Sequence, residues 1–150
     1  MRSDQTIPDT SKLPARQINE ALQYRLLNGS REVGAHTIIL DSLPRSPGPK
    51  RGQYHSTDEE FFVLSGDFTF DGTKWFRRRS YAFYPAGCIH GTNVNVRGGY
   101  EVYLRVSGAT ETFWEDQPKS DAPYPADGVI LKGKQIQMCR APGNAPRIAS

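Results

Sequence analysis

Cysteine is scarce in this 150-residue chain: Cys88 and Cys139 are its only two. That is too few for the disulfide framework of a small secreted domain, so free thiols are expected. No run of eighteen apolar residues occurs, which leaves no segment long enough to span a membrane as a helix. The first thirty residues lack the continuous apolar stretch of a secretory leader. These absences predict a soluble, cytoplasmic protein. Charge of one sign is also lacking. Nineteen Lys and Arg against sixteen Asp and Glu leave a net charge of +3. A mildly basic balance suits anionic substrates, but a nucleic-acid partner needs basic residues gathered on one face or helix, and none is expected here.

What is present is turn-forming and aromatic. Fourteen Gly and eleven Pro exceed the usual share without reaching a disordered composition. Seven Phe, seven Tyr and two Trp are too many for a disordered chain. The length suits one domain. Its expected core is about 24–115, with an N-terminal arm at 1–23 and a C-terminal extension at 116–150.

Along the chain, 16–22 has the composition of two helical turns. The pattern then turns to short β-branched and aromatic runs. Strands are expected at 23–27, ended by Asn28-Gly29, and at 36–40. A run at 60–64 is expected to end at Gly66, and Phe68-Thr69-Phe70 leads into the hairpin turn Asp71-Gly72. Further strands are expected at 75–76, 81–84, 100–106, 112–114 and 129–131. The proline-rich segments 41–53 and 116–128 read as loops. About eight short strands with almost no helix make an all-β sandwich or barrel. Phe62, Leu64, Val102 and Leu104 are the expected core.

Only three histidines are present. His36 lies in an apolar run and reads as a core histidine. His55 follows Gln53, and the two share a face if the segment is extended. His90 follows Pro85-Ala86-Gly87-Cys88-Ile89, where a Pro–Gly turn launches it, with Cys88 on the same side. Glu59 and Glu60 compete to supply a carboxylate. Strand alternation favours Glu59, which shares the face of His55. Two imidazoles and one carboxylate form a facial triad that leaves positions open for substrate and dioxygen. Such a set typically selects non-haem Fe(II), and it also accepts Mn, Ni, Zn and Co.

These residues resemble the cupin superfamily, whose two motifs are G-(x)5-H-x-H-(x)3-4-E-(x)6-G and G-(x)5-P-x-G-(x)2-H-(x)3-N. Here they read Gln53-x-His55-(x)3-Glu59-(x)6-Gly66 and Pro85-x-Gly87-(x)2-His90-(x)2-Asn93. The count to Gly66 again favours Glu59. Gln53 replaces the first histidine, Arg79 stands at a motif glycine, and Asn93 comes one residue early. Residues 59–68 are similar to the cupin domain of stress-responsive anti-sigma factors, and the strand layout resembles small acetylacetone-cleaving dioxygenases.

The resemblance implies a cupin double-stranded β-helix, a jelly-roll barrel with short helical or irregular terminal segments, assembled as a homodimer. It implies a divalent metal, Fe(II) first, held by His55, Glu59 and His90 with Gln53 adjacent. The expected activity is that of a non-haem dioxygenase on a small enolisable or phenolic compound. An oxygen-independent lyase, isomerase or cyclase is the alternative, and a non-catalytic metal- or ligand-sensing module is another. Glu60, Tyr54 and Tyr103 are the candidate proton-transfer groups. Phe61, Phe83 and Cys88 are candidates for the pocket walls. In a hollow barrel Glu101, Tyr103 and Arg105 line the cavity; if their strand packs its other face inward, they point out. Arg45, Lys50 and Arg51 read as loop residues that can also form a positive rim. Arg77-Arg78-Arg79 reads as a solvated hairpin face.

Overall fold

The computed structural model describes residues 7, 9–44, 48, 50–91, 94–114, 129–132 and 135–138. Arg45, Asn93, the expected loop at 116–128 and Cys139 lie outside them. In chain order the strands are β1 (Ala15–Gln17), β2 (Leu22–Gly29), β3 (His36–Ser42), β4 (Gln53–His55), β5 (Glu59–Thr69) and β6 (Trp75–Arg77). They continue with β7 (Tyr81–Tyr84), β8 (Asn95–Val106), β9 (Thr112–Trp114), β10 (Val129–Lys132) and β11 (Gln135–Met138). Among the described residues the only helix is one 3-10 turn, Thr10–Lys12, and none is long and apolar enough to cross a membrane.

A seven-stranded antiparallel sheet runs β1-β2-β3-β8-β5-β6, with β7 also paired to β5. β4 and β9 form a second, two-stranded sheet, and β10 pairs with β11. The architecture is all-β, as the strand spacing predicts, and it is the jelly roll that the cupin resemblance implies.

Three local expectations are corrected. Residues 16–22 are not helical. The Asn19 carboxamide accepts hydrogen bonds from the backbone of Ala21 at 2.8 Å and Leu22 at 3.0 Å. Such local side-chain bonds compete with a helix and turn β1 back onto β2. The strand expected at 23–27 extends two residues further, and Asn28-Gly29 are the last two residues of β2 rather than the turn after it. Gly66 does not end β5. It sits at φ +74 beside a register shift where β5 crosses β8. A Cβ at Gly66 would run into the Gly99 carbonyl oxygen, so the glycine marks a close approach inside a strand.

The core differs by one residue from the expected parity. Phe61 and Val63 face inward and are buried, whereas Phe62 is 39% exposed. Val102 and Leu104 are in the core as expected. Phe61 meets the rings of Phe68, Phe70, Phe76 and Tyr84 with centroids 4.9–6.0 Å away. A buried phenylalanine contributes about 1.5–3 kcal/mol by area alone, so this cluster anchors β5 under the site. Arg77, Arg78 and Arg79 are exposed, as expected for a hairpin face.

Candidate metal centre and cavity

The site begins with a turn. In Pro85-Ala86-Gly87-Cys88 the Cys88 N–H donates to the Pro85 carbonyl at 2.9 Å, and Gly87 takes φ +76. A glycine at positive φ in the third position is the requirement of a type II turn. The chain leaving it does not start a regular strand. It makes an isolated bridge with β4, in which Gln53 N–H donates to His90 O at 2.9 Å and His90 N–H to Gln53 O at 2.8 Å. This pair of bonds holds His90 beside His55, two residues further along β4.

Glu59 opens β5 and points inward. Its Oε2 lies 3.4 Å from His55 Nε2 and its Oε1 lies 3.8 Å from His90 Nε2. All three side chains are buried, and their ligand atoms lie within 4.8 Å of one another. Both imidazoles are oriented from behind. His55 Nδ1 is 3.2 Å from the Glu111 carbonyl and His90 Nδ1 is 3.0 Å from the Cys88 carbonyl. A carbonyl only accepts, so each neutral ring carries its proton on Nδ1 and presents an Nε2 lone pair to Glu59. Burial pushes the His90 pKa down to about 4, which keeps it neutral. Tyr84 stacks on its ring at 4.5 Å.

The buried Nε2 of His90 has no hydrogen-bond partner. A buried lone pair without a donor is costly, and a cation between the imidazoles and the carboxylate would satisfy it. Two nitrogens and a carboxylate suit Fe(II), Mn(II), Co(II), Ni(II) or Zn(II). The residues therefore fit a divalent metal, which His55, Glu59 and His90 could hold.

The cluster opens on a cavity of about 350 Å³ between the large sheet and β4–β9. Its walls are mainly apolar, with Phe61, Phe68, Phe70 and Leu104 among them, and Gln53 also lines it. Arg51 of the expected rim stacks its guanidinium 4.0 Å from the Trp114 ring centre, and Trp114 borders the cavity.

Several expected site residues lie elsewhere. Glu60, Tyr103, Arg105 and Phe83 occupy the outer face of the sheet, where Tyr103 is 38% and Phe83 37% exposed. There Glu60 accepts from Arg105 at 2.9 Å and from the Tyr81 hydroxyl at 2.7 Å. Glu101 alternates with the inward residues Tyr100 and Val102 and is also outside the cavity lining. The inward face of β8 is Tyr100, Val102, Leu104 and Val106, so the outward alternative for Glu101, Tyr103 and Arg105 is the one realised. Tyr54 faces away from the cavity and stacks on Phe113 at 5.3 Å in a separate cluster with Ile89. Cys88 packs in the main core rather than on the cavity wall. It is disulfide-bonded, which corrects the expectation of free thiols.

Other cavity residues were not legible as site residues. His36 and Thr110 meet at 3.3 Å across the wall, and Arg31 and Tyr100 line it too. Tyr100 packs its ring 4.2 Å from that of Phe68, and burial together with Glu59 raises its hydroxyl pKa. The one signal for His36 and Tyr100 was their position on the inward parity of an alternating strand.

A family model described as the ChrR cupin-like domain matches residues 3–109. No curated protein matches the sequence. Among solved structures, a dioxygenase candidate from Nostoc punctiforme is 24% identical over 76% of this chain, with a TM-score of 0.59; the match spans only 43% of that protein's chain. An acetylacetone dioxygenase from Acinetobacter johnsonii is 17% identical over 82% of this chain and 89% of its own, with a TM-score of 0.57. An RmlC-like cupin from Shewanella frigidimarina is 16% identical over 73% of this chain and 96% of its own, with a TM-score of 0.56. At such identities the likeness to these structures is one of fold. The family match covers most of the sequence and includes all three cluster residues, and the chain belongs to the ChrR cupin-like domain family.

Proposed function

We propose that this chain is a metal-dependent cupin enzyme, a non-haem dioxygenase acting on a small enolisable or phenolic compound. The observation that carries the reading is the His55–Glu59–His90 cluster at the wall of an apolar cavity of about 350 Å³, a size suited to a small molecule. The fold shared with an acetylacetone dioxygenase supports it. A divalent ion held by the three residues would act as a Lewis acid on a bound enol or phenol, and Fe(II) would add redox chemistry with dioxygen.

The chain's own contribution is orientation and exclusion. The carbonyls of Glu111 and Cys88 fix both imidazole rings. Phe61, Phe70 and Leu104 keep the wall dry and hold a planar substrate near the cluster. Gln53 offers an amide beside it, able to donate a hydrogen bond to a substrate oxygen. A second reading, a metal- or ligand-sensing module, is favoured by the ChrR-like family match. A homodimer, tested by light scattering, is proposed for either.

The test is elemental analysis of protein purified without a metal-binding tag, with oxygen uptake against a panel of diketones and catechols. His55→Ala and His90→Ala are expected to lose metal and oxygen uptake while the far-UV spectrum stays β-rich. Stoichiometric metal in both variants overturns the site. Bound metal with no uptake on any substrate favours the sensing module.

A further inference from the structure

An enolisable or phenolic substrate must lose a proton, and Glu60, Tyr54 and Tyr103 are all outside the cavity. Among the described residues, the titratable side chains lining it are Arg31, His36, His55, Glu59 and Tyr100. His55 and Glu59 belong to the metal cluster. A guanidinium only donates hydrogen bonds, and burial holds the proton on the Tyr100 hydroxyl. His36 is left.

His36 opens β3 and is buried. Its Nδ1 lies 3.0 Å from the Gly34 carbonyl, so the neutral ring carries its proton there and Nε2 is a lone pair. Nε2 lies 3.3 Å from Thr110 Oγ1, whose hydroxyl donates to it. The register fixes where this lone pair stands. His36 pairs with Val106 from one side of β8, and Glu59 pairs with Val106 from the other. Both side chains face the cavity, with one strand between them. Their backbones are therefore two strand spacings apart, roughly 10 Å, a gap that a small molecule in the cavity can bridge.

We propose that His36 is the proton acceptor of this cavity, and that its ligand is a small apolar-bodied compound with an acidic hydroxyl or an activated C–H, such as a phenol or a 1,3-dicarbonyl. In the step, the O–H or C–H bond breaks and its electron pair stays on the ligand as phenolate or enolate. The proton reaches Nε2 by relay: the Thr110 hydroxyl passes its own proton to Nε2, which becomes part of an imidazolium, and Oγ1 takes the ligand's proton in its place. The Thr110 oxygen then accepts the new Nε2–H, while Nδ1–H still donates to the Gly34 carbonyl. The Arg31 guanidinium, on the same lining, offsets the anion. The inference rests on the cavity being the reaction site, but it does not depend on which metal is bound.

The test uses 4-nitrophenol, colourless when protonated and yellow when ionised. The protein is used as purified, with metal content matched between variants. One pH unit below the probe's solution pKa, about a tenth of the free probe is ionised. With wild-type protein in excess, most of the bound probe is expected to be phenolate, a several-fold rise in the yellow band. His36→Gln should return the band to about the free-solution level, and Thr110→Val, the milder change, should remove only part of the rise. No rise with the wild-type protein, or an equal rise with His36→Gln, overturns the assignment. A protein that lacks metal or oxygen uptake but shows the band and its loss would leave His36 standing and bring down the dioxygenase reading alone.

Discussion

Glu59 and Glu60 are consecutive in the chain and point to opposite faces of β5. Glu59 lies 3.4 Å from His55 Nε2 inside the molecule, and Glu60 lies 2.9 Å from the Arg105 guanidinium outside it. Substituting the two should therefore separate metal binding from surface stability. Glu59→Ala is expected to weaken metal binding by more than the ~10–100-fold typical of losing an outer hydrogen-bond partner. Glu60→Ala should leave metal content unchanged. Elemental analysis checks both, and the reverse order would move the ligand to Glu60 and shift the strand register by one.

Gln53 offers a second separation. Its backbone, not its side chain, makes the bridge to His90, so its amide can be replaced without moving the ligand. Gln53→Ala should keep most of the metal and lower turnover. Gln53→His should tighten metal binding by about tenfold or more, because imidazole is the better donor, and should lower turnover by closing an open position. Metal stripped from Gln53→Ala as fully as from His55→Ala would make Gln53 a ligand.

The outer-face network sets a pH dependence. The Tyr81 hydroxyl, then Arg105, hold the Glu60 pKa below its ordinary value near 4.5. Its stabilising contribution is present in full above that ordinary value and is lost as pH falls through the lower, folded value. Tyr81, mainly through burial and then through Glu60, is raised to about 12. Its contribution is complete below 10 and is lost as pH rises through about 12. Glu60→Gln should cost about 1 kcal/mol at pH 7 through the weakened hydrogen bond from Tyr81. The difference from wild type should shrink as the pH falls below 4, in urea melts across a pH series. A difference that stays constant down to pH 2 would show that the charge of Glu60 does not matter.

Arg79 sits at φ +73, the single non-glycine residue at positive φ among those described. Its backbone N–H donates to the Val63 carbonyl at 2.9 Å, so the conformation is imposed by the turn. The left-handed region costs a residue with a Cβ about 1–2 kcal/mol. Arg79→Gly is expected to raise the melting temperature by roughly 2–4 °C, whereas Arg79→Ala should not. Equal melting temperatures for the glycine and alanine variants would remove the strain argument.

Tyr100, Val102, Leu104 and Val106 alternate with Glu101, Tyr103 and Arg105, and period-two alternation names the inward face of β8 before any fold is known. The Pro85–Gly87 turn and the hairpin at Asp71-Gly72 were legible for the same kind of reason, since glycine and proline act on their own backbone dihedrals. The grouping of His55, Glu59 and His90 was legible because their spacing resembles the two cupin motifs, each carried by a short segment. Phe61-Phe62-Val63-Leu64 carries no polar residue to mark a side. Its parity was decided when β5 paired with β8 and placed Phe61 opposite Leu104. The bulge at Gly66 was decided where that pairing brought the strand against Gly99. The same pairing turned Glu60 outward, away from the proton-transfer role its neighbours suggested. Together with the β3–β8 pairing it set His36 one strand beyond Val106 from Glu59. That last relation joins three strands that are distant in the chain. A local pattern cannot encode it, because it exists only once the hydrogen-bond register between those strands is fixed.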